Sequence, residues 1–342
     1  MNPETRGEAV RRFIVEHVDE HPADIARLAG EKFQISRQAV NRHLQLLVQD
    51  GTLQAQGQTR SRTYRLTPLA GLRWAYPIGP ALVEDRPWMR DVRPTLLDLP
   101  DNVIQIWHYG FTEMLNNAIE HSEGSWVTVT LEKTAAATTI AIHDDGVGIF
   151  RKIQAALDLL DERHAPLELA KGKFTTDPAH HSGEGVFFAS RMFDDFVIAS
   201  GAVYFSHVFG DRSNWILERE TPSPGTTVLM KLANHSTRTT KQVFDAFSTG
   251  EDYGFTRTVV PIDLVRYGDD NLVSRSQARR LLTRFERFRT VVLDFTGIDQ
   301  IGQAFADEVF RVFPTMHPDV ELVEIHTNSA VRQMISRART HS

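Results

Sequence analysis

The chain has 342 residues, of which 41% are hydrophobic and 24% are charged, and its formal net charge is -6. This composition is typical of a soluble globular protein, and the length predicts two or three domains. The absence of cysteine excludes disulfides, thiol nucleophiles and cysteine-ligated metal sites. No apolar run approaches the ~18 residues that cross a bilayer and no secretion signal is recognisable, so we expect a cytoplasmic protein without a membrane partner.

Residues 1–67 carry three helical patterns followed by two short alternating segments. Ser36 is a suitable N-cap for the third helix, and Gly51 ends it. The alternating segments predict two strands that meet near Gly57. The stretch ISRQAVNRHLQLLVQDGTL resembles the winged helix-turn-helix of bacterial regulators. The resemblance implies a DNA-binding domain, although a winged helix that contacts only other proteins would show the same pattern.

The outward face of the third predicted helix is polar and basic. It carries no acidic residue before Asp50, which stands at the end of the helix. Side chains of this kind bond to base edges and phosphates. DNA readers of this type commonly dimerise to meet paired half-sites, so we expect a homodimer. The residues expected to contact DNA are Arg37, Gln38, Asn41, Arg42, Arg60 and Arg62.

A proline-rich linker is expected at 68–100, and four motifs follow it within residues 101–235. The first is the helical segment FTEMLNNAIEHS, which places Glu113 and Asn117 on one face because residues four apart are neighbours on a helix. By itself this pattern also fits a helix with one solvated face.

The other three motifs are rich in glycine and threonine. DDGVGI follows two predicted strands and begins with Asp144, a carboxylate able to accept a bond from an exocyclic amine. HHSGEGVFFASRMF places two glycines before an apolar helix, where backbone N–H groups receive phosphate. PSPGTTVLMKL places threonines at the head of a strand. The small residues of these motifs are Gly146, Gly148, Gly183, Gly185, Thr226 and Thr227.

In this order and spacing, the four motifs resemble the nucleotide boxes of the GHKL ATPase superfamily, which includes gyrase-type ATPases, Hsp90 chaperones, sensor histidine kinases and anti-sigma-factor kinases. The resemblance implies an α/β-sandwich ATP-binding domain of the Bergerat fold that uses ATP and Mg²⁺. It implies that Glu113 is the general base, that Asn117 ligates Mg²⁺, and that Asp144 binds the adenine amino group. The segment 150–182 would form a mobile lid. The other residues expected to contact ATP are Gly146, Gly148, Gly183, Gly185, Thr226, Thr227 and one of two candidate lysines, Lys171 or Lys173.

Strand and helix patterns alternate over residues 250–342, which predicts a small, largely parallel sheet covered by helices. The stretch VVLDFTGIDQIGQAFADEVF resembles the STAS domain of anti-anti-sigma factors, which implies a protein partner. In those factors a Ser or Thr after the loop aspartate accepts phosphate, but Asp299 is followed here by Gln300, Ile301 and Gly302. Phosphorylation of this loop is therefore not expected.

The sequence thus predicts a multidomain protein of α/β and α+β class, with a winged helix, a GHKL domain and a STAS-like domain. We expect a bacterial transcriptional regulator that binds and slowly hydrolyses Mg-ATP, so that nucleotide state controls DNA binding. Two alternatives stay open: an anti-sigma-type protein Ser/Thr kinase with a separate partner, and an ATP-sensing repressor without turnover. Histidine autokinase activity is not expected, because His108 shares a predicted helix with Glu113 and residues 71–100 show no long heptad pair.

Overall fold

The structure is a computed structural model that describes residues 5–58, 61–174, 183–210, 214–248, 254–266 and 271–340, without the side chains of 214–222. Its contacts divide the chain into two compact units. The first comprises Met1–Arg73, Thr130–Ile140 and Leu232–Ser236, and the second comprises Trp74–Val129, Ala141–Lys231 and Thr237–Ser342.

The first unit begins with three helices and a two-stranded hairpin. These are α1 (Arg6–His17), α2 (Ile25–Phe33), α3 (Arg37–Gln49), β1 (Leu53–Gln56) and β2 (Thr63–Leu66), and the two strands are antiparallel. The side chain of Ser36 accepts a hydrogen bond from the backbone of Ala39 at 3.2 Å, which confirms Ser36 as the N-cap of α3. Apolar side chains from the helices and strands, including Ile14, Leu44 and Leu53, form one buried core.

A five-stranded sheet in the order β3-β4-β5-β7-β6 carries the central part of the chain. Its strands are β3 (Ala70–Pro77), β4 (Trp126–Lys133), β5 (Ala137–Asp144), β6 (Asp195–Val208) and β7 (Asn214–Ala233). The helices between them are α4 (Asp85–Pro87), α5 (Asp101–His121), α6 (Ile149–Leu157), α7 (Ala165–Lys171) and α8 (Gly185–Met192). Strands β6 and β7 pair antiparallel, with register shifts around Ser200 and Gly201.

The stretch 68–100 differs from the expected linker, because most of it has regular structure. It contains β3, α4 and two further helical turns, Trp88–Val92 and Arg93–Leu96. Trp88 is buried, and its ring centroid lies 5.8 Å from that of Phe111 in α5. Pro94 stands in the first turn of Arg93–Leu96, where proline is well tolerated, and Pro77 is the last residue of β3, so a high proline content did not indicate a linker here.

The C-terminal part contains a parallel three-stranded sheet in the order β8-β9-β10, as the alternation predicted. Its elements are α9 (Thr240–Phe247), β8 (Arg257–Pro261), α10 (Arg275–Leu282), β9 (Thr290–Asp294), α11 (Gln303–Asp307), α12 (Phe313–Met316), β10 (Glu321–Ile325) and α13 (Ser329–Thr340). The side chain of Ser274 caps α10 through a capping box with Gln277. Throughout the described ranges, no helix has both the length and the apolar character needed to span a membrane.

Candidate nucleotide-binding site

A cavity of about 440 Å³ is bordered by helices α5 to α9 and by strands β5, β6 and β7. This volume is ordinary for a small-molecule site. Apolar side chains such as Met114, Ile142 and Ile198 form much of its lining. The structure brings together in this lining six of the residues that the sequence indicated: Glu113, Asn117, Asp144, Gly183, Gly185 and Thr226.

Helix α5 presents Glu113 and Asn117 to the cavity because its opposite face is anchored in the protein. Trp107, Phe111 and Leu115 are fully buried on that face. Glu113 and Asn117 are half-buried and line the cavity one turn apart. The polar face of this helix is therefore not a simple solvated surface.

Asp144 lies at the end of β5 and is only 5% exposed. Its Oδ1 atom accepts hydrogen bonds from the backbone N–H of Gly146 at 3.0 Å and of Thr226 at 3.2 Å. Burial raises the pKa of Asp144, and these two backbone bonds oppose the rise. A Cβ atom on Gly225, which has a φ of +70°, would lie 1.8 Å from the Asp144 carbonyl oxygen. The carboxylate is thus enclosed on one side and available to the cavity on the other.

Gly146, Gly148 and Thr227 are not among the described residues that line the cavity. A Cβ on Gly146 would lie 2.0 Å from the Ser122 carbonyl oxygen, so this glycine allows close packing against the end of α5. Gly148, with a φ of +89°, begins the turn into α6. The Thr227 hydroxyl lies 2.9 Å from Nδ1 of His143. These residues shape the turn behind the site.

The glycine turn before α8 closes against Glu113. A Cβ on Gly185 would lie 1.9 Å from Oε2 of Glu113, and a Cβ on Gly183 would lie 2.4 Å from the backbone of Phe174. The charges of Glu113 and Glu184 reinforce the rise that burial causes in the pKa of Tyr109. Two carboxylates therefore meet the N-terminal end of α8, where the helix dipole favours negative charge.

Lys173 is not among the described residues that line the cavity. Its ammonium group donates to the carbonyl oxygen of Arg287 at 2.9 Å and lies 4.9 Å from the ring centroid of Phe288. The structure also differs from the expected mobile lid, because all seven residues of α7 are buried. Residues 175–182 of the expected lid lie outside the described residues.

The sequence analysis missed several residues that line the cavity. Tyr109 and Lys152 could have been found by helical periodicity, because they share faces with Glu113 and Ile149. Lys152 donates to the carbonyl oxygen of His121 at 2.7 Å, at the end of α5. The lining residues that local pattern could not indicate are Leu169, Phe174, Glu184 and Phe244.

A metal site made only of protein side chains is absent from the described ranges, where no three acidic or histidine side chains are grouped suitably. A Mg²⁺ ion near Asn117 would therefore complete its coordination with phosphate oxygens and water, as this hard cation does in phosphate sites.

The residues expected to contact DNA belong to the first unit. Arg37, Gln38, Asn41 and Arg42 are exposed together on α3. Arg62 is exposed beside β2, 5.5 Å from the ring centroid of Tyr64. Arg60 lies outside the described residues.

Two family models match the chain. Residues 84–204 match the histidine kinase-like ATPase domain, and residues 277–332 match a STAS-like domain of unknown function (DUF4325). The first match begins inside the expected linker and ends before Thr226. No curated protein matches the chain. The chain therefore contains a histidine kinase-like ATPase domain and a STAS-like domain, which confirms these two parts of the sequence interpretation.

Proposed function

We propose that this protein binds Mg-ATP in the cavity, hydrolyses it slowly, and thereby controls DNA binding by residues 1–67. The observation that carries the proposal is the convergence of Glu113, Asn117 and Asp144 on one cavity within the region that matches the ATPase family. The turn that contains Gly183 and Gly185 closes the same cavity, and a side chain at either position would clash with neighbouring atoms.

The adenine base fits the end of the cavity at Asp144. Oδ1 of Asp144 already holds two backbone N–H groups, so the second oxygen, Oδ2, would accept the exocyclic amine. Ile142, Met114 and Ile198 supply apolar lining for the planar ring. Thr226, whose hydroxyl accepts from the backbone of Ile149 at 2.9 Å, fixes the strand beside Asp144.

The phosphate chain fits the other end, where Gly183 precedes α8 and Gly185 is its first residue. Free backbone N–H groups at a helix N-terminus attract phosphate. Asn117 would ligate Mg²⁺, which neutralises the charge on phosphate oxygens when it is bound. Glu113, beside Gly185, would hold and deprotonate the attacking water as a general base. Gly146 and Gly148, in the turn after Asp144, and Thr227 in β7 would act indirectly, by positioning Asp144 and α6.

The first unit suits DNA binding. Its order of three helices and an antiparallel hairpin is that of a winged helix-turn-helix, in which the third helix enters the major groove. The exposed Arg37, Gln38, Asn41 and Arg42 would contact bases and phosphates, and Arg62 would contact the backbone beside them. A homodimer would place two such helices on paired half-sites.

The ATPase proposal is tested by measuring phosphate release and nucleotide occupancy on the purified full chain with Mg²⁺. Replacement Glu113→Ala should lower turnover by about 10²- to 10⁴-fold and leave binding intact, as expected for loss of a general base. Glu120→Ala is the matched control, because Glu120 is an exposed acid on the same helix. Unchanged turnover in Glu113→Ala would contradict the assigned base.

Binding without turnover would instead favour the ATP-sensing repressor or the kinase that acts on a separate partner. The coupling to DNA is tested by comparing DNA affinity with ATP, with ADP and without nucleotide. Equal affinity in the three states would reject nucleotide control of DNA binding.

A further inference from the structure

One short segment contributes both to the nucleotide cavity and to the packing of the STAS-like domain. Leu169 in α7 and Phe174 just beyond it line the cavity. Glu168 and Lys171 of the same helix instead bond to the STAS-like domain. Because α7 is a short helix of about two turns with every residue buried, a displacement of one face also displaces the other.

Lys171 is the centre of a buried polar network. Its side chain is 0% exposed, and Nζ donates to Oε1 of Glu168 at 2.6 Å and to the carbonyl oxygens of Arg280 and Thr283, both at 3.0 Å. An ammonium group has three hydrogens, so all of them are used. Oε2 of Glu168 accepts from Nη1 of Arg284 at 2.9 Å.

The connection continues along the backbone after α7. Nη2 of Arg284 donates to the Gly172 carbonyl oxygen at 2.7 Å. Arg287 and Lys173 form a reciprocal pair, in which each side chain donates to the other residue's carbonyl oxygen, at 3.0 and 2.9 Å. We call Arg280, Thr283, Arg284 and Arg287 the clamp residues. All of them lie in the region that matches the STAS-like family.

A second set of contacts holds the same segment from β8 and α8. The hydroxyl of Thr258 donates to the Lys171 carbonyl oxygen at 2.8 Å. The half-buried Arg191 in α8 donates to the carbonyl oxygens of Ala170 and Val259, both at 3.4 Å. A Cβ on Gly172 would lie 2.7 Å from the ring of Phe255, which precedes β8, so the segment fits closely against this part of the chain.

The energetics of this network favour one docked position for α7. Burial lowers the pKa of Lys171 to about 8, and the charge and hydrogen bond of Glu168 oppose this fall. Undocking would leave charged groups of both partners without their bonds, and removing one partner from a buried ionic network is costly. The segment is therefore fixed as long as the STAS-like domain is docked.

We propose that the STAS-like domain is a built-in regulator of the nucleotide site. By holding α7 through the clamp residues, it fixes the cavity wall formed by Leu169 and Phe174, so docking of this domain raises the affinity for ATP. Linkage is reciprocal, so bound ATP stabilises the docked domain to the same degree. A partner that pulled the STAS-like domain away from α7 would release the nucleotide. This inference rests on the proposed ATP site.

The test uses the full chain and two double variants with the same loss of positive charge. The clamp variant is Arg284→Met with Arg287→Ala, which keeps the Lys171–Glu168 pair and so leaves no net buried charge. The control variant is Arg275→Ala with Arg289→Ala, because both arginines are exposed in the same domain. The dissociation constant for ATP should rise by about 5- to 150-fold in the clamp variant and stay unchanged in the control, as is typical of allosteric coupling.

Amide hydrogen exchange distinguishes coupling to the ATP site from a purely structural role of the clamp residues. Mg-ATP should slow exchange in α7, α10 and β8 of the wild type and the control variant, and this protection should disappear in the clamp variant. The wild-type comparison with and without ATP decides the question even where the clamp variant does not fold.

The outcomes separate this inference from the proposed function. If the wild type binds no ATP, both are overturned. If it binds ATP, but the folded clamp variant binds equally well and ATP leaves exchange in α10 and β8 unchanged, only the regulatory role of the STAS-like domain is overturned.

Discussion

Gly185 leaves little space at the proposed phosphate end of the cavity. A Cβ at this position would lie 1.9 Å from Oε2 of Glu113. We expect Gly185→Ala to displace Glu113 and to weaken ATP binding by about tenfold or more, or ~1.4 kcal/mol. Gly79→Ala is the control, because a Cβ there meets no atom within 4 Å. Titration with a fluorescent ATP analogue measures both, and equal affinities would show that the turn adapts.

Asp263 gives a pH dependence whose sign can be worked out. Burial raises its pKa to about 7, the charge of Asp294 adds to the rise, and the backbone of Leu264 and the charge of Arg266 oppose it. Between the unfolded pKa of about 3.9 and the folded value, the folded state binds more protons, so the free energy of unfolding falls as the pH rises through this window.

Replacement Asp263→Asn should remove this loss. Relative to the wild type, the variant should gain about 2 to 3 kcal/mol in the free energy of unfolding between pH 5 and pH 8. Urea unfolding at the two pH values measures the change, with Asp299→Asn, an exposed acid of the same domain, as the control. A difference between variant and wild type that is the same at both pH values would rule out titration of Asp263.

Helix α3 is the element on which the DNA proposal depends. Arg42 is exposed on its outward face. If Arg42 contacts a base, Arg42→Ala should weaken binding to the specific sequence by about 1–3 kcal/mol. If Arg42 contacts a phosphate, Arg42→Ala should weaken binding to all sequences equally and reduce the salt dependence of binding. Arg12→Ala on α1 is the control, because Arg12 is exposed and faces Glu16 at 3.9 Å. Electrophoretic mobility shifts at several salt concentrations distinguish the cases. Equal losses in both variants would mean that only the net charge matters.

The role of α5 in the cavity could be predicted from the sequence, whereas the contacts of α7 could not. Glu113 and Asn117 are one turn apart on one helix, so local spacing alone places them together. Glu168 and Lys171 also lie on one helix, and charged residues are rarely buried unless paired. The bonds that bury them come from residues more than 100 positions later, such as Arg284, 116 positions from Glu168. The sequence predicts that Lys173 contacts ATP, but its ammonium group donates to a carbonyl oxygen 114 positions away, a partner that no local pattern indicates.

Over the whole molecule, the sequence predicted the order of the domains. It did not predict the contacts through which one domain holds a segment of another. Repeating patterns with periods of two and 3.6 residues located the strands and helices, and glycine motifs located the cavity. The contact through which the STAS-like domain holds α7 depends on side chains that meet only in the folded chain. Regulation of the proposed site therefore could not be read from any single motif.

Nucleotide specificity is a test of the whole site, because it requires the base and phosphate ends together. Adenine presents an amino donor where guanine presents a carbonyl acceptor, and the acceptor would face the Asp144 carboxylate. Mg-ATP at 100 times its dissociation constant should raise the free energy of unfolding by about 2.7 kcal/mol, whereas Mg-GTP at the same concentration should not. Calorimetry with each nucleotide measures this. Asp144→Asn should abolish the ATP effect, and equal stabilisation by both nucleotides would show that the site holds phosphate without reading the base.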